Sequence, residues 1–408
     1  MRLLCLALAL SACTSESTLP EYLAARTAAL APPPPLVKEW SPDASLHLSK
    51  VLVTELVTTA LGRYNTLDQP VSLDNGAVLR PDLKVTNVNL HSGASCPTCI
   101  DVELVMDGHA AYEFSGIKIR GPLKVTSKAT LDVSAREIAG GEWVVELTVK
   151  TVDSVSVRSQ RLPQSITTAL DEPLTKAARG KLAEYAEPQT IARFTPQALP
   201  LLAVRAGATN DGIRVDMRTY ANSPTPLGAV PNKLRAGWQF SVQTDSLLDL
   251  ARKRSFEHGV VAWDVVADPT GLRIGRGTFE MDLRLYKTTG AGWWRDYLVK
   301  GTIDMKDSGF SLMTTGVEKT GMSPGATTAD PLAALGEAQI IENITAGFDA
   351  TIPASHGGVA SGMRADATVE SIYGTADMVQ IRGDLSLKQV KQVEQVKQAK
   401  GRRAPPPK

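Results

Sequence analysis

Stretches in which apolar and polar residues alternate strictly dominate this chain, and they occur in two runs built on one plan. Alternation gives a strand one apolar face, and that face has to be covered. In the first run "LKVTNVNL", "IDVELVM", "YEFSGIKIRG", "LKVTSKATLDVSA" and "EWVVELTVKTVDSVSV" read as strands. Turns are expected at Asp107-Gly108, Gly121-Pro122 and Gly140-Gly141. Ahead of them, "LHLSKVLVTELVTTALG" places Leu48, Val51, Leu52, Leu56 and Ala60 on one helical face and stops at Gly62. After them, "LPQSITTALDEPLTKAARGKLAEYA" carries the stripe Ile166, Leu170, Leu174, Ala177 and Leu182, with a kink at Pro173. The strand "DGIRVDMRTY" closes the run.

The plan restarts beyond the breaker-rich connector "ANSPTPLGAVPNK". "DSLLDLARKRSF" reads as a helix capped by Asp245. "VVAWDVVA" and "LRIGRGTFEMDLRLYK" follow across an Asp268-Pro269-Thr270-Gly271 turn, with Phe279, Met281, Leu283 and Leu285 facing one way. Gly275 and Gly277 read as a close backbone approach or a bulge within that strand. After "DYLVKGTIDMK" and "GFSLMTTGVE", a helix starts at Asp330-Pro331 and runs through Leu335, Ile341, Ile344 and Phe348. "MRADATVESIY" and "MVQIRGDLSLK" end the second run.

The expected fold class is therefore α+β: two related elongated lobes, each a twisted antiparallel sheet packed on two amphipathic helices. Residues 42–220 form the first lobe, 221–236 the connector, 237–388 the second lobe and 389–408 a basic tail. This order and duplication resemble the TULIP/BPI-like superfamily of tubular lipid-binding proteins over roughly residues 41–388. The resemblance implies an apolar seam between helix and sheet that takes up acyl chains. The seam residues it points to are Leu48, Val51, Leu52, Leu56, Ile166, Leu170, Leu174, Phe279, Met281, Leu283, Leu285, Leu335, Ile341 and Ile344. The same stripes can also interdigitate as a dry core.

The chain opens "MRLLCLALALSACTSES": a basic residue, an apolar run, then small residues. Leu10-Ser11-Ala12-Cys13 resembles the lipobox of bacterial lipoproteins, which implies removal of residues 1–12 and acylation of Cys13. Two or more acyl chains anchor firmly without any spanning helix. Thr14 rather than Asp after the cysteine implies the outer membrane, facing the periplasm. Residues 13–41, with Pro32 to Pro35, read as a stiff tether reaching on the order of 80 Å.

In that compartment the remaining cysteines, Cys96 and Cys99, are in an oxidising environment. A C-x-x-C spacing serves a redox centre, half of a zinc site or a staple. A strand follows the pair, so no helix N-terminus is available to activate a thiolate. His91 and His109 are the local candidates for further zinc ligands, with no second C-x-x-C. A disulfide is the expected state, contributing about 2 kcal/mol by loop entropy.

Catalytic motifs are missing. His47, His91, His109, His258 and His356 are scattered, and there is no H-E-x-x-H, G-x-S-x-G, Walker A or dinucleotide fingerprint. The formal net charge of +1 gives the body no field for nucleic acid. No cofactor or metal is expected. Trp293 and Trp294, after a Gly-rich turn, either pack, one inward and the other over a sheet edge, or with Arg295 are candidate membrane contacts at a loop tip. The expected function is non-enzymatic: a membrane-anchored lipoprotein that binds or transfers lipid, phospholipid or lipopolysaccharide among the candidates. The rivals are an interaction lipoprotein with solid lobes and a thiol oxidoreductase.

Overall fold

The computed structural model describes residues 18–323, other than 62–65, 68–69, 74–75, 93–95, 161–163, 185–187, 197–198, 229–233, 262–263, 290–291 and 307–308. It also describes residues 326, 341, 350–351, 363–375 and 377–389. Cys13, Leu335, Ile344 and nearly all of the basic tail lie outside these residues, and so do the side chains of Ile166, Ala177 and Leu182.

The protein is α+β, with every strand pair antiparallel. The first half comprises β1 (Ala44–Ser49), α2 (Lys50–Leu61), β2 (Thr66–Leu67), β3 (Val71–Ser72), β4 (Val78–Ser92), β5 (Cys99–Phe114), β6 (Ile117–Ile138) and β7 (Glu142–Arg158). Helix α3 (Gln164–Glu184), β8 (Gln189–Phe194), β9 (Leu201–Thr209) and β10 (Gly212–Thr219) complete it. The second half comprises β11 (Trp238–Gln243), α4 (Thr244–His258), β12 (Val265–Ile274), β13 (Thr278–Lys287), β14 (Trp293–Lys306), β15 (Gly309–Met322), β16 (Ala350–Thr351), β17 (Met363–Gly374) and β18 (Met378–Gln389). One further helix, α1 (Thr18–Ala29), precedes both halves.

Strand, helix, four-strand meander and closing hairpin thus occur twice. The meanders stay apart, as a first-half sheet β2-β4-β5-β6-β7-β8 and a second-half sheet β12-β13-β14-β15-β16. The remaining strands merge across the halves into one central sheet, ordered β17-β18-β11-β1-β10-β9. Its order is palindromic about the β1–β11 pair. Leu46 and Phe240, the third residue of each strand, face one another there, so a local two-fold axis passes between them. The first-half sheet abuts this central sheet at edge strand β9, and the second-half sheet abuts it at the opposite edge, β17.

Local chemistry accounts for the element ends. Ser49 Oγ accepts the Leu52 N–H at 3.1 Å and caps α2, so a six-residue strand passes directly into a helix. The start at Lys50 rotates the expected stripe: Leu52, Val53, Leu56 and Val57 are buried, whereas Val51 is 49% exposed and leaves the seam set. Leu48 is buried as a residue of β1, not of the helix. Helix α4 begins at Thr244 with Gln243 as its N-cap and no side-chain cap bond; Asp245, the expected cap, sits in the first turn.

Two expected turns are strand interiors. Gly108 lies within β5, and a Cβ there would run into the Asp82 carbonyl, so this glycine serves a close approach of β4 and β5. Pro122 lies within β6 beyond Lys124, which pairs with the last residue of β7, Arg158; its missing N–H therefore costs no ladder bond on that side. The Asp268–Gly271 stretch is a register shift inside β12, not a turn. Gly275 to Gly277 in turn link β12 to β13, with Gly277 at φ 71°, so the expected bulge is a hairpin turn.

The Pro-rich segment is also corrected. Residues 18–29 are helical and docked, not an extended spacer. Tyr22 packs against Phe256 and Tyr286 at ring separations of 6.0 and 5.7 Å, and Ala29 is buried with Phe256 and Val266. Asn222 Nδ2 donates to the carbonyls of Ala28 and Ala29 at 2.9 Å each, closing the helix end. The four prolines join α1 to β1 rather than the membrane to the body.

Candidate functional site: an apolar strip between two cores

Most of the expected seam residues are buried in packed interior. Phe279, Met281, Leu283, Leu285 and Ile341 share one large cluster with Leu48, Leu52 and Leu56. Leu170 and Leu174, from α3, belong to a second cluster with Leu79, Leu83, Val125, Val155 and Val157. The first cluster runs on through the central and second-half sheets, and the two share the inner face of the first-half sheet. At its central-sheet end α2 supplies the cover, and at its far end α3 does.

Between them the cover is incomplete. The inward positions of β5 run Ile100, Val102, Leu104, Met106, Gly108 and Ala110. Val102 and Ala110 are buried, while Leu104 and Met106 between them are only half-buried. Leu104 packs on the first cluster and Met106 on the second. The registers extend this boundary into two rows across the sheet, apolar except for Ser127. One is Val85, Met106, Val125 and Val157; the other is Val88, Leu104, Ser127 and Val155. Of these, Val85, Leu104 and Met106 are half-buried while Val88, Val125, Ser127, Val155 and Val157 are buried, so the open strip spans one inter-strand spacing of about 4.8 Å, between β4 and β5. Water gains nothing from methyl groups there, and a hydrocarbon guest gains about 25 cal/mol per Å² removed from water. These residues were missed in the sequence, although "IDVELVM" already placed Leu104 and Met106 on one face.

In the second half, Met305 and Val317 are exposed and Leu312 is half-buried, although their pairing with Phe310, Val299 and Ile303 sets them on the inner side of β14 and β15. A cavity lined by Lys50, Val53, Leu90, His91, Ile100, Thr209, Asn210 and Gly212 has a volume of only about 10 Å³. That accommodates one water and no acyl chain.

The tryptophan loop is not a tip. Trp293 and Trp294 open β14, paired with Lys287 and Tyr286. Trp293 and Arg295 are 6% exposed, Arg295 stacks on the Trp293 ring at 4.6 Å and donates to the Ala326 carbonyl at 3.2 Å, and Arg284 lies 4.2 Å over Trp294. Strand pairing continues up to the turn, so both rings are fixed in the sheet, Trp293 buried and Trp294 half-buried. Among the large apolar side chains that do protrude are Phe114, Ile117 and Ile119, on the β5–β6 hairpin. Ser115 and Gly116, at φ 46° and 82°, make its turn.

Cys96 and Cys99 are bonded to each other. Asp132 is the acidic group nearest the sulfurs, and neither His91 nor His109 joins that cluster. The loop they close is a joint. Pro97 O accepts the Ala208 N–H of β9 at 3.1 Å, and Thr98 O accepts the Val133 N–H of β6 at 2.9 Å. The staple therefore holds the first-half sheet to the central sheet.

Two of the perturbed ionisable groups, His47 and Asp268, lie in the packed framework. Burial holds the His47 imidazole below its ordinary range, with Asp211 opposing and Arg214 adding to the effect. Burial also pushes the Asp268 carboxyl up, against the paired Arg252 guanidinium at 2.7 and 3.0 Å. Neither residue lines the strip.

Fold and site define an α+β protein of two related halves, joined by a shared sheet and carrying a part-covered apolar face. No family model matches the sequence, and neither does any curated protein. Among solved structures, a lipopolysaccharide binding protein is similar at 11% identity, covering 86% of this chain and 100% of that one with a TM-score of 0.35. P47 of Clostridium botulinum E1 is similar at 9% identity, covering 85% and 100%, with a TM-score of 0.40. Likeness at this level assigns no ligand.

Proposed function

We propose that this chain is a non-enzymatic, membrane-attached protein that holds or passes lipid or another apolar ligand. The carrying observation is the half-buried strip Val85, Leu104 and Met106, left between two cores that pack separately on one sheet face. In this reading Cys13 is acylated and attaches the chain to the outer membrane on its periplasmic side. The ligand is an acyl-chain lipid, phospholipid or lipopolysaccharide.

Native mass spectrometry after mild extraction tests the reading. Lipid is expected on the chain beyond the anchor, and Leu104→Asp with Met106→Asp should remove it. Each new carboxylate is partly desolvated against a core, so the double variant should also lose about 2–4 kcal/mol of stability, and lipid is read on the folded chain. A parent chain carrying no lipid beyond its anchor overturns the proposal. That outcome selects an interaction lipoprotein with solid lobes, a reading favoured by the packed main core and the 10 Å³ cavity.

A further inference from the structure

Helix α1 is fixed to the second half along one face only. Thr18, Tyr22, Ala25 and Ala29 turn inward at helical spacing, and Glu21 meets Arg284 at 3.9 Å. The start of the helix lies on the β13–β14 turn, where a Cβ at Gly292 would stand 3.6 Å from that of Thr18. An adjoining, uncovered flank presents Leu19 and Leu23, one turn apart and 48% and 47% exposed. Lone exposed leucines are ordinary on a protein surface. What distinguishes this pair is where the chain comes from.

Five residue steps separate Cys13 from Thr18. At no more than about 3.5 Å each, they reach roughly 18 Å, against the on the order of 80 Å of an undocked tether. An acylated Cys13 leaves no slack for the second half to stand off from the bilayer. We infer that α1 lies against the bilayer that anchors Cys13, with Leu19 and Leu23 entering its headgroup boundary, and that the second half is the membrane-facing end of the protein. This rests on the acylation of Cys13 in the proposed function. It also places the β5–β6 hairpin, which belongs to the sheet on the opposite edge of the central sheet, away from that bilayer.

A single saturated chain gives only marginal, reversible membrane binding, so small added contacts become measurable. The chain from Cys13 to Lys408 would be coupled through the Cys13 sulfur to one C16 chain (about 16 carbons, the weak single-anchor regime). Cys96 and Cys99 are bonded and do not compete. Sedimentation with phosphatidylcholine vesicles then reads the partition. Leu19→Ser with Leu23→Ser should lower it about tenfold with an unchanged melting temperature. Phe114→Ser with Ile117→Ser should leave it unchanged, although those residues are 41% and 64% exposed. Apolar exposure alone predicts the reverse ranking. Unchanged partition of the α1 pair, or an equal fall for the hairpin pair, overturns the inference. The mass of the full chain from its own membranes is the separate arm. A Cys13 without acyl groups overturns the anchoring reading and the inference with it, whereas an acylated Cys13 with indifferent vesicles overturns the inference alone.

Discussion

Asp43 ties the two halves together through one buried carboxylate, and the cost of its removal follows from the structure. The side chain is fully buried, just ahead of β1. One carboxylate oxygen accepts the Thr219 N–H at 2.8 Å; the other accepts the Thr219 hydroxyl at 2.6 Å and the Ser246 hydroxyl at 2.8 Å. Thr219 ends β10 in the first half, and Ser246 opens α4 in the second. Asp43→Ala leaves a buried N–H without an acceptor, at about 1–3 kcal/mol, and two buried hydroxyls that must find weaker partners. A total of about 3–5 kcal/mol follows, and at about 1 °C per kcal/mol for a chain of this size unfolding as one unit the melting temperature should fall by about 4–6 °C. Asp43→Asn keeps an oxygen for the Thr219 N–H and should lose less than half as much. Asp245→Ala, an exposed carboxylate two residues into the same helix, is the control and should cost about 0.3–1 kcal/mol. Thermal unfolding followed by circular dichroism at pH 7 measures all three. If Asp43→Ala melts within about 2 °C of the parent, the three bonds do not couple the halves and the reasoning fails.

Two other perturbations follow from the same framework. Because burial keeps the folded-state pKa of His47 below its unfolded value of 6.5, the unfolded chain takes up the proton first as pH falls; stability is full above pH 6.5 and declines as pH drops below it. Melting temperatures at pH 7.5 and 5.5 should therefore converge in His47→Gln relative to the parent, and an undiminished acid drop in the variant assigns the effect to other groups. Replacing Cys96 and Cys99 together by serine removes about 2 kcal/mol of loop-closure stabilisation. Hydrogen exchange should then accelerate at the Ala208 and Val133 amides, which the Pro97 and Thr98 carbonyls hold; unaltered protection there would show that the joint does not need the bond.

The meanders were legible because β4 to β7 and β12 to β15 alternate over long stretches, and alternation is a local property of the chain. The central sheet was not. Strand β1 was absorbed into the helix that abuts it, and β11 went unassigned. Both are six residues long, and the second face of each is polar yet buried: Ser45, His47 and Ser49 on one, Gln239, Ser241 and Gln243 on the other. Burial of those side chains is created by strands nearly two hundred residues away in sequence and by the connector, where Pro226 O accepts from Gln243 Nε2 at 2.6 Å. Strand β9, "LLAVRAGAT", has too few large side chains to show its pairing. Helix α1 was hidden by the four prolines beside it, and its docking partner Phe256 is equally remote. For the candidate site, periodicity identified which side chains turn inward but not what meets them there.

What meets them depends on lengths. Strand β6 has 22 residues, or about 73 Å at about 3.3 Å each. The covering helices α2 and α3 have 12 and 21 residues, about 18 and 32 Å at 1.5 Å each. Laid end to end they fall short of the longest strand by roughly 20 Å. Each helix crosses at its own end, α2 fixed by the cap at Ser49 and α3 by Asp171, whose carboxylate accepts the Val157 N–H at 2.8 Å. With both ends pinned, the shortfall has to appear between them, and Leu104 and Met106 are where it appears. The apolar strip is thus a consequence of how the covering elements are spaced and held, and closing it calls for a longer helix rather than a better-packed one.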